Sequence, residues 1–426
     1  MKRKNRPIKI LNITDALPDY YKTWGGAEKV AYRQIKTSTK LEDKEIFVGA
    51  TKPVRRVEEN FTFLRIYTIE DFLPQKLSHY ATTFKSQAFP FDLVSFFSLM
   101  FILLKIKPQV IHLHRVIKIS LAPMIVAKIF GIPITLSIYD YLFFCPKSVL
   151  LDKKNNPCYK FHGPWCRECS VIIKESSTLK LFSFFRRRIF DFFLSKANRF
   201  SVLSNASLEL ISKYSIPKEK IFIVSQAFIS HERINGVSVE PYSVFFNIWM
   251  QPHKGVDIVI RTIPKVLKVF PQTKFYIAIK DAPACYEDDY FKEIKKMMKD
   301  LDIEKNITFF ERPSHKQYLQ LIEKSTLVIV AEQWENMAPT TLTDAMSLGK
   351  PVVASKIGGI PEIITDNRNG LLANPKDLEM FAEKIIKILS DKALAKRLGE
   401  RAKERIKTIG QEKNIKEQLY RLYQFT

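Results

Sequence analysis

The chain has 426 residues, of which 46% are hydrophobic and 26% charged, so it can bury a large core and is expected to form two domains rather than one. Its 68 lysines and arginines against 44 acids give a net charge of +24, which favours an anionic partner: nucleic acid, a phosphorylated ligand or an anionic membrane. The number of cysteines is odd, which argues against a disulfide framework. The basic N-terminal tip continues directly into a strand-like segment, which indicates a cytoplasmic protein.

Short β-rich runs alternate with helical patterns in two series. The first series predicts buried parallel strands at 8–14, 44–50, 109–114, 133–140 and 199–204. The second predicts them at 242–249, 274–280, 306–311, 325–331 and 350–355. Amphipathic segments separate the runs, so the fold class is α/β, with two doubly wound, Rossmann-like domains facing across a cleft and ligands at the carboxyl ends of the strands.

The two series set the expected domain boundaries. The N-terminal domain covers 1–220 and holds a Cys-rich insertion at about 145–170. Residues 215–228 are interpreted as the crossover to a C-terminal domain at 221–405. The remaining helix, 406–426, is expected to pack back on the N-terminal domain.

Two apolar segments lie in the N-terminal half. The run that starts at Leu93 has twelve residues before Lys105, too few to span a bilayer, and indicates a buried or interfacial helix. A second helix near 179–199 places apolar residues on one face, Leu181, Phe185, Ile189 and Phe192, with Phe182 and Phe193 widening it, and has a basic run near its middle, Arg186 to Arg188. That face is expected either to rest on an anionic membrane or to pack on the core.

Four cysteines fall within 25 residues of the insertion: Cys145, Cys158, Cys166 and Cys169. Thiolates at this density suit a tetrahedral zinc ion, with His162 as a substitute ligand. Such a site would be structural, because four protein ligands leave no open position for chemistry. The other interpretation is four reduced thiols in a loop.

The stretch "ENMAPTTLTDAMSLGKPVVAS" follows the strand-like run 325–331. Proline suits a first helical turn, so a helix is predicted to start near Pro339 or Thr340, with free N–H groups suited to a diphosphate. Asp344 then lies inside the helix, where it could bind a ribose diol, and Glu335 on the loop could bind sugar hydroxyls. The alternative is a helix-capping glutamate and a solvated aspartate.

This stretch resembles the signature of the glycosyltransferase family 4 enzymes, and "WGGAEKVAYR", "HKGVDIVIRT" and "SKIGGIPEIITDNRNGLLA" resemble the family's other conserved segments. The resemblance implies the GT-B fold and transfer of a sugar from a nucleotide-sugar donor with retention of configuration. It implies these donor-binding residues: Gly25, Gly26, Lys254, Glu335, Asn336, Thr340, Thr341 and Asp344. It implies Glu335, Lys254 and Asp140 as catalytic residues, and no cofactor or metal for the transfer.

The sequence departs from the family pattern at three points. Asp344 replaces a glutamate and falls nine positions after Glu335, one more than usual, so either the loop holds an extra residue or Asn336 takes the first position. Trp249 stands where the family usually has an arginine that helps to bind the diphosphate. Tyr139 stands where the family commonly has a histidine, and tyrosine cannot become a cation.

The resemblance implies a retaining hexosyltransferase that acts on a glycan or lipid-linked acceptor in cell-surface polysaccharide or glycolipid synthesis. It would be cytoplasmic and peripheral on the inner face of the cytoplasmic membrane. Two alternatives remain: a degenerate, non-catalytic or partner-dependent homologue, and another GT-B enzyme such as a nucleotide-sugar epimerase. No nucleic acid partner is expected, because the lysines are dispersed rather than clustered with aromatic residues.

Overall fold

The structure, a computed structural model, describes residues 7–17, 25–51, 60–160, 169, 179–214, 216–226, 231, 234, 236–280 and 288–425, with the backbone alone for Gln87 and for 179–184. The chain divides into two compact units. One comprises Met1–Ala227 with Glu412–Thr426, and the other comprises Phe228–Gln411. These bounds differ by a few residues from the expected 220 and 405.

The N-terminal unit is built on a parallel sheet. Its strands are β1 (Ile8–Ile13), β2 (Lys44–Ala50), β3 (Thr62–Arg65), β4 (Val110–Leu113), β5 (Ile134–Ser137), β6 (Arg199–Val202) and β7 (Ile221–Ile223), in the order β3-β2-β1-β4-β5-β6-β7. All five predicted strands form. The interpretation of 215–228 as a crossover is wrong, because β7 lies in this segment and pairs in parallel with β6.

Helices cover the sheet of the N-terminal unit. They are α1 (Gly26–Ser38), α2 (Gln75–Gln87), α3 (Leu93–Ile106), α4 (Ala122–Ile129), α5 (Leu179–Leu194) and α6 (Asn205–Ser212). The Asp92 carboxylate caps α3 by accepting a hydrogen bond from the Ser95 N–H. Among the described residues, no helix is both long enough and apolar enough to cross a membrane.

The predicted apolar face of α5 is partly covered, as its residues with described side chains show: Ile189 is half-buried and Phe193 is buried. Phe185 and Phe192 are exposed, while Arg186, Phe190 and Phe193 are buried. The Arg186 guanidinium donates to the carbonyls of Ser86 and Leu142 at 3.1 and 2.7 Å, which satisfies its charge inside the unit. Part of the predicted face packs on the unit and part does not, so the choice between an anionic membrane and the core stays a prediction for this helix.

The second unit is also built from a parallel sheet and helices. Its strands are β8 (Ser243–Ile248), β9 (Lys274–Ile279), β10 (Ile307–Glu311), β11 (Leu327–Val330), β12 (Val352–Ser355) and β13 (Leu371–Ala373), all parallel, in the order β10-β9-β8-β11-β12-β13. Its helices are α7 (Val256–Val269), α8 (Asp289–Asp300), α9 (His315–Lys324), α10 (Thr340–Ser347), α11 (Ile360–Ile363), α12 (Leu378–Ser390) and α13 (Lys392–Ile409). The five predicted strands of this series form, and β13 is additional.

The last helix, α14 (Glu412–Tyr423), returns to the N-terminal unit. Ile415, Leu419 and Leu422 are fully buried in a cluster that includes Ile10 and Ile35. Each sheet also has a point where the strand order reverses, between β1 and β4 and between β8 and β11. Ligands of doubly wound folds bind beyond the carboxyl ends of the strands at such points.

Candidate functional site

The loop 331–339 joins β11 to α10 and is held between two glycines. Gly255 and Gly358 have φ angles of +71° and +57°, in the left-handed region. A Cβ at Gly255 would overlap the Ala331 carbonyl, and one at Gly358 would overlap the Asn336 backbone. Only glycine fits at both positions, so the loop is fixed by close backbone contacts on either side.

Backbone hydrogen bonds complete this arrangement. The Gln333 N–H donates to the His253 carbonyl at 2.8 Å, and the Gly359 N–H donates to the Asn336 carbonyl at 2.9 Å. Asn336 also accepts at its side-chain oxygen from the Ala338 N–H at 3.2 Å. The Glu335 side chain is half-buried on this fixed loop.

Lys254 lies at the end of a 3-10 turn, Pro252–Lys254, that follows β8. Its ammonium is 2.9 and 3.1 Å from the two carboxylate oxygens of Glu332. The Trp334 indole N–H donates to the same carboxylate, and the ammonium lies 5.2 Å from the centroid of the Trp334 ring. The sequence analysis did not identify Glu332 or Trp334, although Glu332 follows the end of β11 by two residues.

The start of α10 is where the sequence predicts it. The helix begins at Thr340, Pro339 occupies the N-cap position, and no side chain caps the helix. The interpretation of Glu335 as a helix cap is therefore wrong. The Asn247 amide donates to the Thr341 hydroxyl at 2.9 Å, which ties the helix start to the end of β8. Uncapped N–H groups in a first helical turn favour an anion.

Asp344 is inside α10 and is buried, so the interpretation of a solvated aspartate is wrong. One carboxylate oxygen accepts from the Tyr318 hydroxyl at 3.1 Å, and the other lies 3.3 Å from the His231 Nε2. A ribose diol at this carboxylate would share it with these two protein partners.

Three buried polar atoms at the carboxyl ends of neighbouring strands have no hydrogen-bond partner within the part of the chain that the structure describes. They are Asn247 Oδ1 in β8, Gln333 Oε1 on the loop after β11 and Ser355 Oγ at the end of β12. A buried polar group without a partner is destabilising, so such groups usually mark a ligand or ordered water. Two of them follow or belong to the strands on either side of the switch point and the third ends the next strand, which favours a polar ligand at this edge of the sheet.

The N-terminal unit has its own polar cluster at the point where β1 and β4 diverge. The Arg115 guanidinium bonds Glu28 at 2.6 Å and Asp140 at 3.0 Å, and all three side chains are about one-quarter exposed. Below them, Asp15 accepts from the N–H groups of residues 117, 118 and 119 at 2.7 to 3.0 Å. Gly25 packs so closely on the Glu28 carboxylate that a Cβ would overlap it.

A pocket opens beside this cluster. Its lining includes Arg115, Ser120, Tyr139 and Asp140. The Tyr139 hydroxyl donates to Gln34 Oε1 at 2.9 Å and lies 2.6 Å from His114 Nδ1, and burial raises the pKa of this tyrosine. Tyr139 is thus a neutral, hydrogen-bonded side chain.

The predicted site residues fall into two groups. Within the C-terminal unit, Lys254, Glu335, Asn336, Thr340, Thr341 and Asp344 lie on adjoining segments after β8 and β11. Within the N-terminal unit, Gly25 and Gly26 start α1, where Glu28 is in the first turn, and Asp140 follows β5. Trp249 is half-buried at the end of β8.

Of the predicted zinc ligands, Cys166 lies outside the described residues, as does His162. Cys145, Cys158 and Cys169 are free thiols, and the described residues contain no group of three His, Cys, Asp or Glu that could hold a metal ion. Burial raises the pKa of the Cys169 thiol, and the nearby Cys145 and Cys158 thiols add to this rise. The zinc site stays a prediction, to be tested by the metal content of the purified protein.

Comparison with known proteins gives a consistent result. Residues 229–405 match the family model described as glycosyl transferases group 1. An uncharacterised glycosyltransferase of Methanocaldococcus jannaschii is 30% identical over 173 residues, which cover 38% of this chain and 43% of the relative. The poly(ribitol-phosphate) alpha-N-acetylglucosaminyltransferase of Staphylococcus aureus is 27% identical over 215 residues, which cover 50% of this chain and 41% of the relative. The chain thus matches less than half the length of either relative.

The fold extends further than the sequence similarity. The crystal structure of Anabaena HepE in complex with UDP-glucose aligns with a TM-score of 0.65 at 17% identity, covering 97% of this chain and 98% of that one. The predicted GT-B fold, with two Rossmann-like parallel sheets, is confirmed.

Proposed function

Because residues 229–405 match the family model of the group 1 glycosyl transferases, we propose that the chain transfers a sugar from a nucleoside diphosphate sugar to a hydroxyl of a glycan or lipid-linked acceptor. The observation that carries the proposal is that Lys254, the start of α10 and three polar atoms without a described partner all lie at the carboxyl ends of the neighbouring strands β8, β11 and β12. A cation and free N–H groups suit a diphosphate, while the polar atoms suit a sugar or base.

In the proposed mechanism, the role of each group follows from its charge. Negative charge develops on the diphosphate as it leaves, and the Lys254 ammonium together with the N–H groups of Thr340 and Thr341 would stabilise it. Glu335 would hold the hydroxyls of the donor sugar, and Asp344, which also contacts His231 and Tyr318, would bind the ribose. In this proposal the transfer retains anomeric configuration and requires no bound metal.

The acceptor half of the proposal rests on the N-terminal unit. Asp140 and Glu28 are partly exposed carboxylates held in place by Arg115, and they can accept hydrogen bonds from acceptor hydroxyls. Gly25 and Gly26 lie at the start of α1, beside the Glu28 carboxylate. The acceptor would be made or displayed at the inner face of the cytoplasmic membrane, for cell-surface polysaccharide or glycolipid synthesis, as in family 4.

The test is a thermal-shift panel of uridine, guanosine, adenosine and thymidine diphosphates and their sugars on the full chain. Uridine donors come first, because the similar Anabaena structure holds UDP-glucose. One nucleotide family should raise the melting temperature, and Lys254→Ala should abolish the rise. Lys396→Ala, which removes an exposed lysine of α13, is the matched control and should leave the rise unchanged.

One observation favours the alternative of a degenerate homologue: Lys254 already has an anionic partner in Glu332. No rise with any nucleotide would support that alternative and overturn the proposal. An epimerase would bind the same donors, but it would convert the sugar without acceptor-dependent release of the nucleoside diphosphate.

A further inference from the structure

One face of α3 is apolar and exposed. Leu93, Phe97, Phe101 and Leu104 are 58%, 46%, 67% and 54% exposed. Their spacing of four, four and three residues places them on a single stripe of the helix. The opposite stripe, with Leu99, Leu103 and Ile106, is buried. A helix that is apolar on every side is normally covered on every side by protein or lipid.

The exposed stripe continues through packed aromatic rings to α5. Ring centroids are 5.3 Å apart for Phe97 and Phe96, 5.9 Å for Phe96 and Phe91, 6.3 Å for Phe91 and Phe193, and 5.5 Å for Phe193 and Phe192. Phe192, at the far end, is exposed. We name the exposed residues Leu93, Phe97, Phe101, Leu104 and Phe192 the α3–α5 surface.

A second apolar segment borders this surface. The Tyr67 N–H donates to Ser98 Oγ at 3.0 Å, and the Ile69 N–H donates to the Asp92 carboxylate at 3.1 Å, so residues 67–69 lie against the start of α3. Tyr67, Ile69 and the following Phe72 are exposed. The apolar area is therefore larger than the isolated exposed side chains common on soluble proteins.

The charge at this surface is positive. Asp92 is the only acid between residues 72 and 139, and it is buried with the Lys85 ammonium 2.5 Å away. Lys105, Lys107 and Lys128 are exposed, and the Lys196 ammonium lies 4.3 Å from the Phe192 ring centroid.

The acids nearest the edges are paired with cations. Glu70 bonds Lys85 at 2.7 Å, Asp71 bonds Arg65 at 3.2 Å, and Asp191 lies 3.7 Å from Arg187. Within the part of the chain that the structure describes, Lys105, Lys107 and Lys128 have no acidic partner, and residues 72–139 contain no exposed acid to balance them.

We propose that the α3–α5 surface docks on the anionic face of a lipid bilayer, with Phe97, Phe101, Leu104 and Phe192 at the level of the acyl chains and the lysines at the headgroups. A second copy of the chain would bring the same lysines together, and their repulsion disfavours that occupant. An anionic bilayer complements both the apolar rings and the cations. The docking gives the proposed transferase access to a lipid-linked acceptor, but binding to lipid does not depend on catalysis.

The test is co-sedimentation of the full chain with vesicles of phosphatidylcholine alone and with added phosphatidylglycerol. The chain should bind the anionic vesicles, and added salt should weaken the binding. Phe101→Ser with Leu104→Ser should reduce binding roughly tenfold or more, because two exposed apolar side chains leave the lipid. The control is Val239→Ser with Val269→Ser, which changes two exposed side chains of the C-terminal unit and should bind as the unchanged protein does.

The unchanged melting temperature of the double variant would verify that it folds. Absence of binding to anionic vesicles, or equal binding by the Phe101 and Leu104 variant, would overturn the proposal. A dimer in solution that this variant dissociates, with no vesicle binding by the unchanged protein, would show that a second copy covers the surface instead. Nucleotide binding measured on the same samples separates this outcome from failure of the transferase proposal.

Discussion

At the scale of single residues, Lys254 and Glu332 define the electrostatics of the proposed donor site. In the proposed site, a diphosphate at the start of α10 would compete with the Glu332 carboxylate for the same ammonium. The pair is mostly buried, so neither charge is fully screened by water. The Glu332 carboxylate would thus neutralise the Lys254 ammonium that the proposed diphosphate needs as its own partner.

Replacing Glu332 by glutamine should strengthen nucleoside diphosphate binding. The amide can still accept the Trp334 N–H, but it no longer neutralises Lys254 or repels the ligand. We expect a gain of about tenfold in affinity, equivalent to about 1.4 kcal/mol, measured by titration calorimetry. The control is Glu240→Gln, which removes an ion pair with Lys274 in the same unit. Weaker binding by Glu332→Gln would instead mean that Glu332 positions Lys254 for the ligand.

At the scale of elements, the site depends on how the loop 331–339 is held. Gly255 and Gly358 let two neighbouring segments touch this loop through their backbones. Neither glycine has a side chain that could contact Glu335. Their backbone contacts nevertheless fix the loop that carries this residue. Loss of either contact should therefore change ligand binding as well as stability.

Gly358→Ala tests this dependence. The new Cβ would combine left-handed strain with overlap of the Asn336 backbone, so we expect a lower melting temperature of the C-terminal unit and loss of the nucleotide-induced rise. Gly236→Ala is a matched control, because Gly236 has a φ of +84° but no atom within 4 Å of the added Cβ. It should cost about 1 kcal/mol of stability and leave nucleotide binding intact. Equal effects of both variants would mean that strain alone, not the loop contact, is responsible.

The elements also show what the sequence can reveal. Strands with a long β-branched or aromatic run, such as 242–249, were predictable, whereas β3, β7 and β13 lie at sheet edges, and β3 and β7 are only partly buried, so their apolar pattern is weaker. The start of α10 was predictable because Pro339 and Thr340 mark it locally. The His231 contact with Asp344 joins residues 113 positions apart, and no local pattern indicates it. No local pattern indicates the close backbone contact between Gly358 and Asn336 either.

At the scale of the whole molecule, the chain leaves the N-terminal unit and returns to it as α14. The Arg199 guanidinium donates to the carbonyls of Arg421 and Leu422 at 2.6 and 3.0 Å, which satisfies the end of the helix. The stability of the N-terminal unit therefore includes residues that follow the C-terminal unit in sequence.

Leu419→Ala should reveal this connection. Leu419 is fully buried in the N-terminal core, and truncation should cost about 2 to 5 kcal/mol. Unfolding followed by hydrogen exchange should show the loss at β1 and α1 and not in the C-terminal sheet. Leu398→Ala, a fully buried leucine of α13, should give the reverse pattern. A loss spread equally over both sheets would contradict the division into two units.

Acid should loosen the same connection, because the His112 Nδ1 lies 2.8 Å from the hydroxyl of Tyr423 in α14. Burial lowers the pKa of His112 well below its ordinary 6.5 and lowers that of the adjacent His114 to about 3. Between those values the unfolded chain binds protons that the folded chain does not, so stability falls as pH drops below 6.5, by about 1.4 kcal/mol per pH unit for each histidine.

The Asp15 carboxyl acts in the opposite direction, because burial raises its pKa to about 6 and the folded chain protonates it first. Comparison with His114→Gln cancels this contribution, since Asp15 is present in both proteins. Denaturant unfolding of the N-terminal unit from pH 7 to pH 4 should give a slope against pH that is shallower in the variant by about 1.4 kcal/mol per unit. Parallel slopes would mean that His114 is protonated in the folded protein, and its hydrogen bond to Asn12 at 2.9 Å would then be that of an imidazolium.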